Sequence, residues 1–578
     1  MTDVDILIVG GGTAGCVLAN RLSADAMLRV MLVEAGRDIV PGAVPKDIDD
    51  VFPRAYANPA YFWPDLKARS VVGRPWSHYT QARVMGGGSS VMGMWSLRGL
   101  SADYDSWARF GAQGWDYKDV LPYFKRVESD ADFSGDLHGC EGPVVLQRTP
   151  ITQWPGLNHA VMRAVKARGF NYLEDGNGDD RDGIFAVPLS TDGRARVSAA
   201  SAYLSHKVRK RDNLEIVADT RALRVVFEGK RAIGVEIAAA NGAPRLIRSK
   251  LTVISCGSLH TPALLFRSAI GPAAKLQPLG SAVVHDNPHV GQNLQNHIFA
   301  HLGAVVKPRA RQSSALRRYS MTGIRLSSRA AGAPPSDLFL GVMSRTAGGA
   351  AGNRLAMLAA ILNAPFSRGV VEPDPEAPFG PPRVDFAMLS DPRDVSRLVQ
   401  AAGVARGILL DPDLKEAIDL PFVVPANPPI RLLNGPGLSA KAMGLGIIAA
   451  FGRWNPFREL ALRLFLGRGR LLSEIAIEKD FADLVVASAT PQFHPIGTCA
   501  IGSVVDSSSK VIGVEALHVV DASIIPVIPR ANTNLPTLMV AEKCADHILN
   551  AFRESSSLTE PSSASAAETA PTSRGHHD

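Results

Sequence analysis

The chain has 578 residues, of which 46% are apolar and 20% are charged, so it can bury a large core and exceeds what one hydrophobic core usually organises. It carries 62 Lys and Arg against 55 Asp and Glu, a formal net charge of +7, but the basic residues are dispersed and accompany no recognition motif, so we expect no nucleic-acid partner. The five cysteines form no C-x-x-C pair, which argues against both a disulfide framework and a zinc site.

Targeting signals give no support to a secreted or membrane-spanning protein. No basic segment precedes the first apolar run and no small-residue cleavage site follows it, as a secretory signal would require. No apolar run is long enough to span a bilayer. We therefore expect a cytoplasmic protein with two domains.

The N-terminus has the pattern of a strand, a tight turn and a helix. Residues 5–9 are a short β-branched apolar run, residues 10–15 read G-G-G-T-A-G, and helical spacing follows. Gly10 permits the turn, Gly12 lets the backbone approach a pyrophosphate, and Gly15 lets helix and strand pack closely. The loop predicts a dinucleotide at the N-terminus of the helix.

A second strand strengthens this prediction. Residues 29–33 read R-V-M-L-V and end at Glu34, roughly 20 residues beyond the loop, where an acidic side chain meets a ribose hydroxyl in this type of unit. The alternative is a glycine-rich loop in an unrelated α/β protein, with Glu34 as a solvated strand end. The pattern does not distinguish NAD from FAD.

Later segments supply the remaining motifs. Residues 83–93 are a second stretch of small residues, which could line a flat ring and a phosphate without side-chain bulk. Near the C-terminus, His494 is followed by Pro495 and Gly497, residues that fix a loop and can set the direction of the imidazole. Residues 529–537 read P-R-A-N-T-N-L-P-T. An imidazole that takes a proton and an amide that holds an oxygen are suited to oxidising an alcohol by hydride removal.

Together these motifs resemble the glucose-methanol-choline (GMC) family of FAD-dependent alcohol oxidoreductases. The resemblance is carried by residues 10–15, 83–93, 257–262, 290–297, 493–498 and 529–537. Within the family, the chain is most similar to the bacterial hydroxymethylfurfural and aryl-alcohol oxidase branch and to choline dehydrogenase-like members. The resemblance implies oxidation of a primary alcohol, aryl or furanic, to the aldehyde by hydride transfer to flavin N5.

The resemblance also implies an α/β fold, in which a discontinuous Rossmann-like FAD-binding domain joins a substrate domain built on an antiparallel sheet plus helices. We expect the FAD-binding domain to comprise residues 1–152, 195–302 and 488–553, and the substrate domain residues 153–194 and 303–487. Residues 554–578 are rich in Ser, Ala, Thr, Glu and Pro and are expected to form a disordered tail.

The site residues follow from the same resemblance. His494 is the expected base, Asn532 the expected holder of the substrate oxygen, and Phe493 a wall of the substrate pocket that suits flat alcohols. A helix is expected from about Pro536, with Asn534 as its cap. The cofactor-binding residues are Gly10, Gly12, Thr13, Ala14, Gly15, Glu34, Arg83, Gly87, Ser89, Ser90, Met92, Gly93, Ala222, Asp521, Ala522, Thr533, Asn534 and Thr537.

Two positions depart from the family. Members usually carry Asn at the position of Met92, or a His that in some of them is bonded to the flavin, so we expect non-covalent FAD here. The second departure is Ala269, where the family has glycine.

Some alternatives stay open at this stage. They are an NAD-dependent dehydrogenase, a flavin-binding protein with weak catalysis, and a choline-like or aliphatic alcohol dehydrogenase with a quinone acceptor in place of O2. Residues 451–470 are basic and apolar, and we favour a substrate-domain helix over peripheral membrane contact. His285, His289 and His297 lie close in sequence without a carboxylate or thiolate at ligand spacing, so we expect no metal site.

Overall fold

The computed structural model describes residues 3–557, apart from residues 241, 281, 427–432, 436, 452–456 and 468. The strands are β1 Asp3–Val9, β2 Val30–Val33, β3 Lys67–Val71, β4 Ser77–His78, β5 Glu128–Asp130, β6 Val144–Gln147, β7 Tyr172–Leu173, β8 Gly183–Ala186, β9 Leu189–Ser190, β10 Leu214–Val217, β11 Thr220–Glu228, β12 Arg231–Ala239, β13 Arg245–Ile254, β14 Ile270–Gly271, β15 His285–Asp286, β16 Ile298–Val306, β17 Ser320–Leu326, β18 Leu338–Met343, β19 Leu355–Leu362, β20 Val370–Glu372, β21 Arg383–Met388, β22 Ile418–Val423, β23 Arg470–Leu471, β24 Thr490–Pro491 and β25 Leu517–Val519.

The α-helices are α1 Thr13–Leu22, α2 Lys46–Asp49, α3 Gly88–Val91, α4 Ser101–Asp105, α5 Tyr117–Val127, α6 Gly156–Ala167, α7 Ala199–Tyr203, α8 His206–Arg209, α9 Gly257–Arg267, α10 Ala273–Leu276, α11 Pro392–Leu409, α12 Leu438–Phe451, α13 Arg458–Leu466, α14 Glu478–Ser488 and α15 Asn534–Ser557.

The first sheet has a parallel core, as the N-terminal pattern predicts. Its order is β10-β2-β1-β13-β12-β11, and β25 also pairs with β13. Strands β10, β2, β1, β13 and β25 run parallel, whereas β12 and β11 are antiparallel additions. Six of the seven residues of β1 are buried, which is why this strand is a nearly continuous apolar run. The strands that end at the nucleotide loop therefore meet β25, from the far end of the chain.

A second sheet is antiparallel except where β7 pairs with β8. Its order is β23-β22-β16-β19-β18-β17-β8-β7, with β24 also paired to β16, and α11 packs against β16, β18 and β19. The predicted fold class, α/β with an antiparallel substrate sheet, is confirmed. The predicted boundary at residue 302 falls inside β16, which pairs over its length with β19. Because β16 is one continuous strand of this sheet, we propose that the boundary lies before residue 298. The other domain boundaries stay predictions.

The C-terminal helix differs from the prediction at both ends. It begins at Asn534, which is helical and does not precede the helix as a cap, and it continues through Ser557. The helix therefore extends through the first four residues of the segment predicted as a tail. Residues 558–578 lie outside the described residues.

The basic and apolar segment over residues 451–470 forms the end of α12 and helix α13, with residues 452–456 and 468 outside the described residues. Leu462 and Leu466 are buried. Arg458 pairs with Asp419 at 2.9 Å. These contacts agree with the predicted substrate-domain helix, and in the described part of the chain no helix has the length and apolar character to cross a membrane.

A buried cluster of charges stabilises the region beside β5. His138 Nε2 lies 2.7 Å from Asp175 Oδ2 and its Nδ1 lies 3.2 Å from Asp130 Oδ2, while Arg148 Nη1 donates to Asp130 at 2.7 Å. Burial alone would lower the pKa of His138, but hydrogen bonds to Asp130, Asp175 and Glu128 raise it to about 10. His138 is therefore an imidazolium at neutral pH.

The same cluster includes three groups, Glu128, Asp130 and His138, close enough to share a metal ion. Arg98 already pairs with Glu128 in a fully buried contact, and Arg148 pairs with Asp130. An imidazolium has no lone pair for a metal. We therefore interpret the group as an ion-pair cluster.

The His138 cluster predicts how stability depends on pH. Because its folded pKa of about 10 lies above the ordinary value of 6.5, its stabilisation is complete below pH 6.5 and is lost as the pH rises towards 10. We expect the wild-type unfolding midpoint to fall between pH 7 and 10 more steeply than that of His138→Gln, measured by thermal unfolding. The exposed His206, replaced in the same way, should leave the wild-type slope intact. Equal slopes for the wild type and His138→Gln would contradict the prediction.

Candidate active site

One cavity of about 560 Å³ collects most of the predicted site. It is bounded by the loops that follow β1, β2, β13 and β25, at the carboxyl ends of the parallel strands, where ligands bind in sheets of this kind. The predicted residues that line it are Gly10, Gly12, Thr13, Ala14, Glu34, Gly87, Ser89, Met92, Gly93, Ala222, Phe493, His494, Asp521, Ala522, Asn532, Thr533, Asn534 and Thr537. Gly15, Arg83 and Ser90 do not line it.

Three glycines of the first glycine loop, Gly10, Gly12 and Gly15, have different structural roles. Gly10 has φ of +104°, a left-handed conformation that favours glycine. A Cβ on Gly15 would lie 1.9 Å from the carbonyl oxygen of Gly10, so Gly15 serves packing behind the loop, as predicted. A Cβ on Gly12 would meet nothing nearer than Ser255 O at 4.0 Å. Helix α1 begins next to it with no side-chain cap, which leaves N–H groups for an anion.

The carboxylate of Glu34 holds this loop through backbone hydrogen bonds. Its Oε2 accepts from the backbone N–H of Gly11, and its Oε1 from that of Gly36, both at 2.7 Å. Burial raises the pKa of this carboxyl, and the two hydrogen bonds oppose the rise. Each oxygen keeps a further lone pair, so Glu34 can hold the loop and still accept from a ribose hydroxyl.

The second glycine loop closes on the first. The N–H of Gly86 donates to Gly11 O at 2.7 Å, and a Cβ on Gly87 would lie 3.0 Å from the Cα of Gly12. Two residues predicted to bind the cofactor, Ser90 and Arg83, belong to this segment but lie outside the cavity lining. Ser90 is buried and donates to Met85 O at 2.7 Å, and Arg83 lies over the ring of Trp63.

The C-terminal segment completes the cofactor end. Asp521 accepts from the N–H groups of Gly257 and Ser523 at 2.8 and 2.7 Å. The hydroxyl of Thr13 donates to Asn534 Oδ1 at 3.1 Å, which joins the first turns of α1 and α15. Two helix N-termini therefore face one cavity, an arrangement that favours the phosphates and the negative ring of a dinucleotide cofactor.

His494 lies between two polar partners. Its Nε2 is 3.0 Å from Asn532 Nδ2, and its Nδ1 is 2.9 Å from His297 Nδ1. With the Asn532 amide nitrogen as donor, Nε2 accepts, so the proton of the neutral ring resides on Nδ1 and is donated to His297. The lone pair of a base then lies on Nε2, the nitrogen beside Asn532.

Both histidines are held neutral. Burial, followed by the neighbouring His297, lowers the pKa of His494 well below its ordinary value of 6.5. Burial lowers the pKa of His297 to about 3, although hydrogen bonds with the backbone at Asn363 and Pro529 oppose the shift. A neutral imidazole at the pH of the cell is the form that can accept a proton.

His297 is the main residue that the sequence did not place in the site. In sequence it lies near His285 and His289, but within the described residues these three form no metal-ligand group. It is 197 residues from its partner, and no local signal connects the two. The pairing arises because β24 lies beside β16, with the N–H of Gln492 donating to His297 O.

Aromatic side chains surround the remaining part of the cavity. Phe493 lines it, as predicted, and its ring lies 5.3 Å from that of Tyr56. Trp95 stacks on Tyr319 at 6.1 Å. Sequence analysis missed the other lining residues of this end because they come from separate strands and loops: Phe52, Tyr56, Trp95, Phe299, His301, Tyr319, Met343, Arg345, Met357, Ala359, Ile361 and Asn434.

The difference between Gly12 and Gly15 predicts two kinds of defect. Gly12→Val should fold, because its side chain meets open space, but should bind little FAD because that space is the approach to the phosphates. Gly15→Ala should lower the unfolding midpoint, because its Cβ would overlap Gly10 O. Circular dichroism, thermal unfolding and flavin absorbance measure both effects. Gly403→Val, in α11 with nothing within 4 Å, is the matched control, and full flavin content in Gly12→Val would contradict the prediction.

Comparisons with known proteins agree with this geometry. Residues 4–299 and 365–541 match the two family models described as GMC oxidoreductase. The chain is 37% identical over 575 residues to the 5-(hydroxymethyl)furfural oxidase of Methylovorus sp. (strain MP688), covering 95% of this chain and 99% of that protein. It is 33% identical over 561 residues to the mitochondrial choline dehydrogenase of Homo sapiens, covering 94% and 89%.

A solved structure shows the same architecture. Pyridoxine 4-oxidase from Mesorbium loti superposes with a TM-score of 0.76 at 27% identity, covering 95% of this chain and 99% of that one. The family models span well over half of the sequence, and the glycine loops and helix N-termini fit the FAD that the family binds. The chain belongs to the GMC oxidoreductase family and is an FAD-dependent alcohol oxidoreductase.

Proposed function

We propose that this enzyme oxidises primary aryl or furanic alcohols to aldehydes, with His494 as the base and Asn532 as the holder of the substrate oxygen. The observation that carries the proposal is the contact between His494 Nε2 and the Asn532 amide in a cavity with aromatic walls. FAD, when bound, supplies the acceptor for the hydride. The residues of the chain bind and orient the alcohol and receive its hydroxyl proton.

The hydroxyl proton of the alcohol cannot leave before the hydride on its carbon does. An alcohol hydroxyl, like water, has a pKa of about 16, and an ordinary imidazole has one of about 6.5, so a free alkoxide would cost about 13 kcal/mol at 1.36 kcal/mol per pKa unit. The lowered pKa of His494 makes that cost larger. Proton transfer to Nε2 is therefore coupled to loss of the hydride, and the Asn532 N–H stabilises the charge that develops on oxygen.

The aromatic walls support a flat substrate. Phe493, beside the base, contacts Tyr56 and Tyr79, and such rings hold aryl or furanic groups by stacking. The similarity to a 5-(hydroxymethyl)furfural oxidase supports the same class. Choline-like or aliphatic alcohols, with a quinone in place of O2, are the second candidate because choline dehydrogenases are also relatives.

The state of the cofactor is a part of the proposal. Met92 lines the cavity at the position where some relatives carry a flavin-bonded histidine, and its thioether offers no such bond. We propose non-covalent FAD, held by the two glycine loops and the two helix N-termini. Acid precipitation should release yellow flavin into the supernatant.

Replacement of the base tests the main assignment. His494→Ala should retain FAD and lose about 10²- to 10⁴-fold in kcat, the usual contribution of a general base. The measurement is anaerobic flavin reduction by aryl, furanic, aliphatic and choline-like alcohols, followed by admission of air, which also tests O2 as the acceptor. Replacement of the exposed His206 by Ala is the control. Near-full activity, or loss of FAD, would reject the role of His494.

Replacement of His297 tests its effect on the base. Burial, followed by the neighbouring His297, lowers the pKa of His494, so the wild-type kcat/KM should not fall until the pH is below 6.5, the ordinary histidine value. His297→Leu should lower kcat, because the Nδ1 proton of His494 then has no acceptor and the tautomer of the ring is no longer fixed, whereas His297→Gln, whose amide oxygen can accept this proton, should lose less. Equal kcat values in the two variants would indicate that His297 serves packing alone.

A further inference from the structure

Arg345 is a buried cation at the substrate end of the cavity. It follows β18, is only 5% exposed, and lines the cavity. Its Nε donates to Ala347 O at 3.0 Å, and its Nη2 to Gly348 O and Gly349 O at 3.3 and 3.1 Å. Its Nη1 is buried and has no hydrogen-bond partner. A buried donor of this kind costs free energy unless a ligand satisfies it.

The surroundings of Arg345 carry an excess of positive charge. Asp50 lies nearby but is already paired with Arg54 at 3.0 Å and with Arg317. Burial, followed by the charges of Arg317 and Arg54, lowers the pKa of Arg345, and Asp50 opposes the shift. An arginine nevertheless stays protonated in proteins, so its charge is only partly compensated.

The acids among the described lining residues are elsewhere in the cavity. They are Glu34 and Asp521, and both accept from backbone N–H groups of the loops at the cofactor end. The electrostatic character of the substrate end is therefore positive. Such an end attracts an anion and opposes a cationic alcohol of the choline type.

The strand register places Arg345 away from the base. Phe299 pairs with Thr490 of β24, close to His494, whereas Met343, two residues before Arg345, pairs with Met357. Met357 in turn pairs with Gly303. Gly303 lies four residues further along β16 than Phe299, about 13 Å at roughly 3.3 Å per residue. The aromatic walls lie between the two ends.

We propose that the enzyme's preferred alcohols carry a carboxylate at the end remote from the reacting CH2OH, and that Nη1 of Arg345 binds this carboxylate. The substrate class is a hydroxymethyl-aryl carboxylic acid, in which flat rings separate the two groups. FAD, when bound, would accept a hydride from the CH2OH and His494 would take its hydroxyl proton, which gives CHO, while the carboxylate is unchanged. This inference rests on the proposed function and specifies the substrate of the same site.

A carboxylate fits this position better than a phosphate. Only Nη1, with its two N–H bonds, is available to a ligand, because the loop carbonyls accept from the other two guanidinium nitrogens. A monoanion can be satisfied by such a charge-assisted contact, whereas a phosphate dianion has three oxygens that need donors.

Matched substrates test the proposal. The measurement is kcat/KM for 4-(hydroxymethyl)benzoate against its neutral amide, and for the two-ring 4′-(hydroxymethyl)biphenyl-4-carboxylate against its amide. We expect the wild type to prefer the acid over the amide by about 10-fold or more for at least one spacer, as a hydrogen bond to a charged group contributes. Arg345→Met should lower this acid-to-amide ratio by about 10- to 100-fold, and Arg345→Lys by less.

Arg354→Met is the matched control. Arg354 belongs to the same loop region, donates to the carbonyl of Ala350, and does not line the cavity, so its loss should change the ratio by less than about threefold. Flavin content and the unfolding midpoint show whether each variant is folded. Equal changes in the ratio for Arg345→Met and Arg354→Met, or no preference of the wild type for either acid, would overturn the proposal.

Binding of the aldehyde product distinguishes the proposed reaction from the proposed carboxylate site. The perturbation of the flavin spectrum by 4-formylbenzoate and by 4-formylbenzamide measures affinity without turnover. If no alcohol reduces the flavin but 4-formylbenzoate binds through Arg345, the proposed reaction is wrong and the carboxylate site stands. If alcohols reduce the flavin and the acid binds no more tightly than the amide, the reaction stands and the carboxylate site is rejected.

Discussion

The site depends on a buried carboxylate that joins the two ends of the chain. Glu542 on α15 is fully buried and accepts from Arg21 on α1 through both oxygens at 2.8 Å. Tyr203 donates to it at 2.7 Å, and Arg126 approaches it at 2.9 Å. Removing both arginines would leave the buried carboxylate without a counter-charge, and breaking a buried ion pair typically costs about 3–5 kcal/mol. The N-terminus of α15 is thereby held against the first glycine loop, and the Asn532 segment before it is placed over the cofactor end.

This arrangement explains why the chemistry is divided along the chain. The parallel sheet supplies loops with glycines and helix N-termini, which suit phosphates and a flat ring. The antiparallel sheet supplies walls with alternating side chains, and His494 lies where β24 brings the two together. His494 is therefore held by the sheet that forms the substrate cavity, while the cofactor site is formed by the other sheet.

The sequence predicted what is local. The glycine loop, Glu34, His494 and Asn532 are recognisable because each lies in a short segment whose backbone geometry is set by neighbouring Gly, Pro or Asn residues. Such patterns do not show which way a side chain points. Ser90 lies in the same small-residue stretch as the lining residues, but its hydroxyl donates to Met85 O and does not line the cavity.

The rest of the site depends on contacts that a sequence does not display. His297 meets His494 through strand pairing across 197 residues. Arg345 is distinguished from other arginines because it lines the cavity and one of its nitrogens, Nη1, has no partner in the loop. The boundary inside β16 was missed for the same reason, because the end of one sheet and the start of the next are separated by register and not by composition.

Strand β16 has a consequence for how new specificities can arise in this protein. His297, immediately before it, and Phe299 and His301 within it share one face of the chain, since side chains alternate along a strand. One of these residues contacts His494 and the other two line the cavity. Insertions or register shifts in this strand would therefore reshape the pocket and displace His494 together, whereas single side-chain replacements at 299 or 301 would alter only the pocket. Divergence of substrate preference should accordingly proceed by substitution along an unshifted strand.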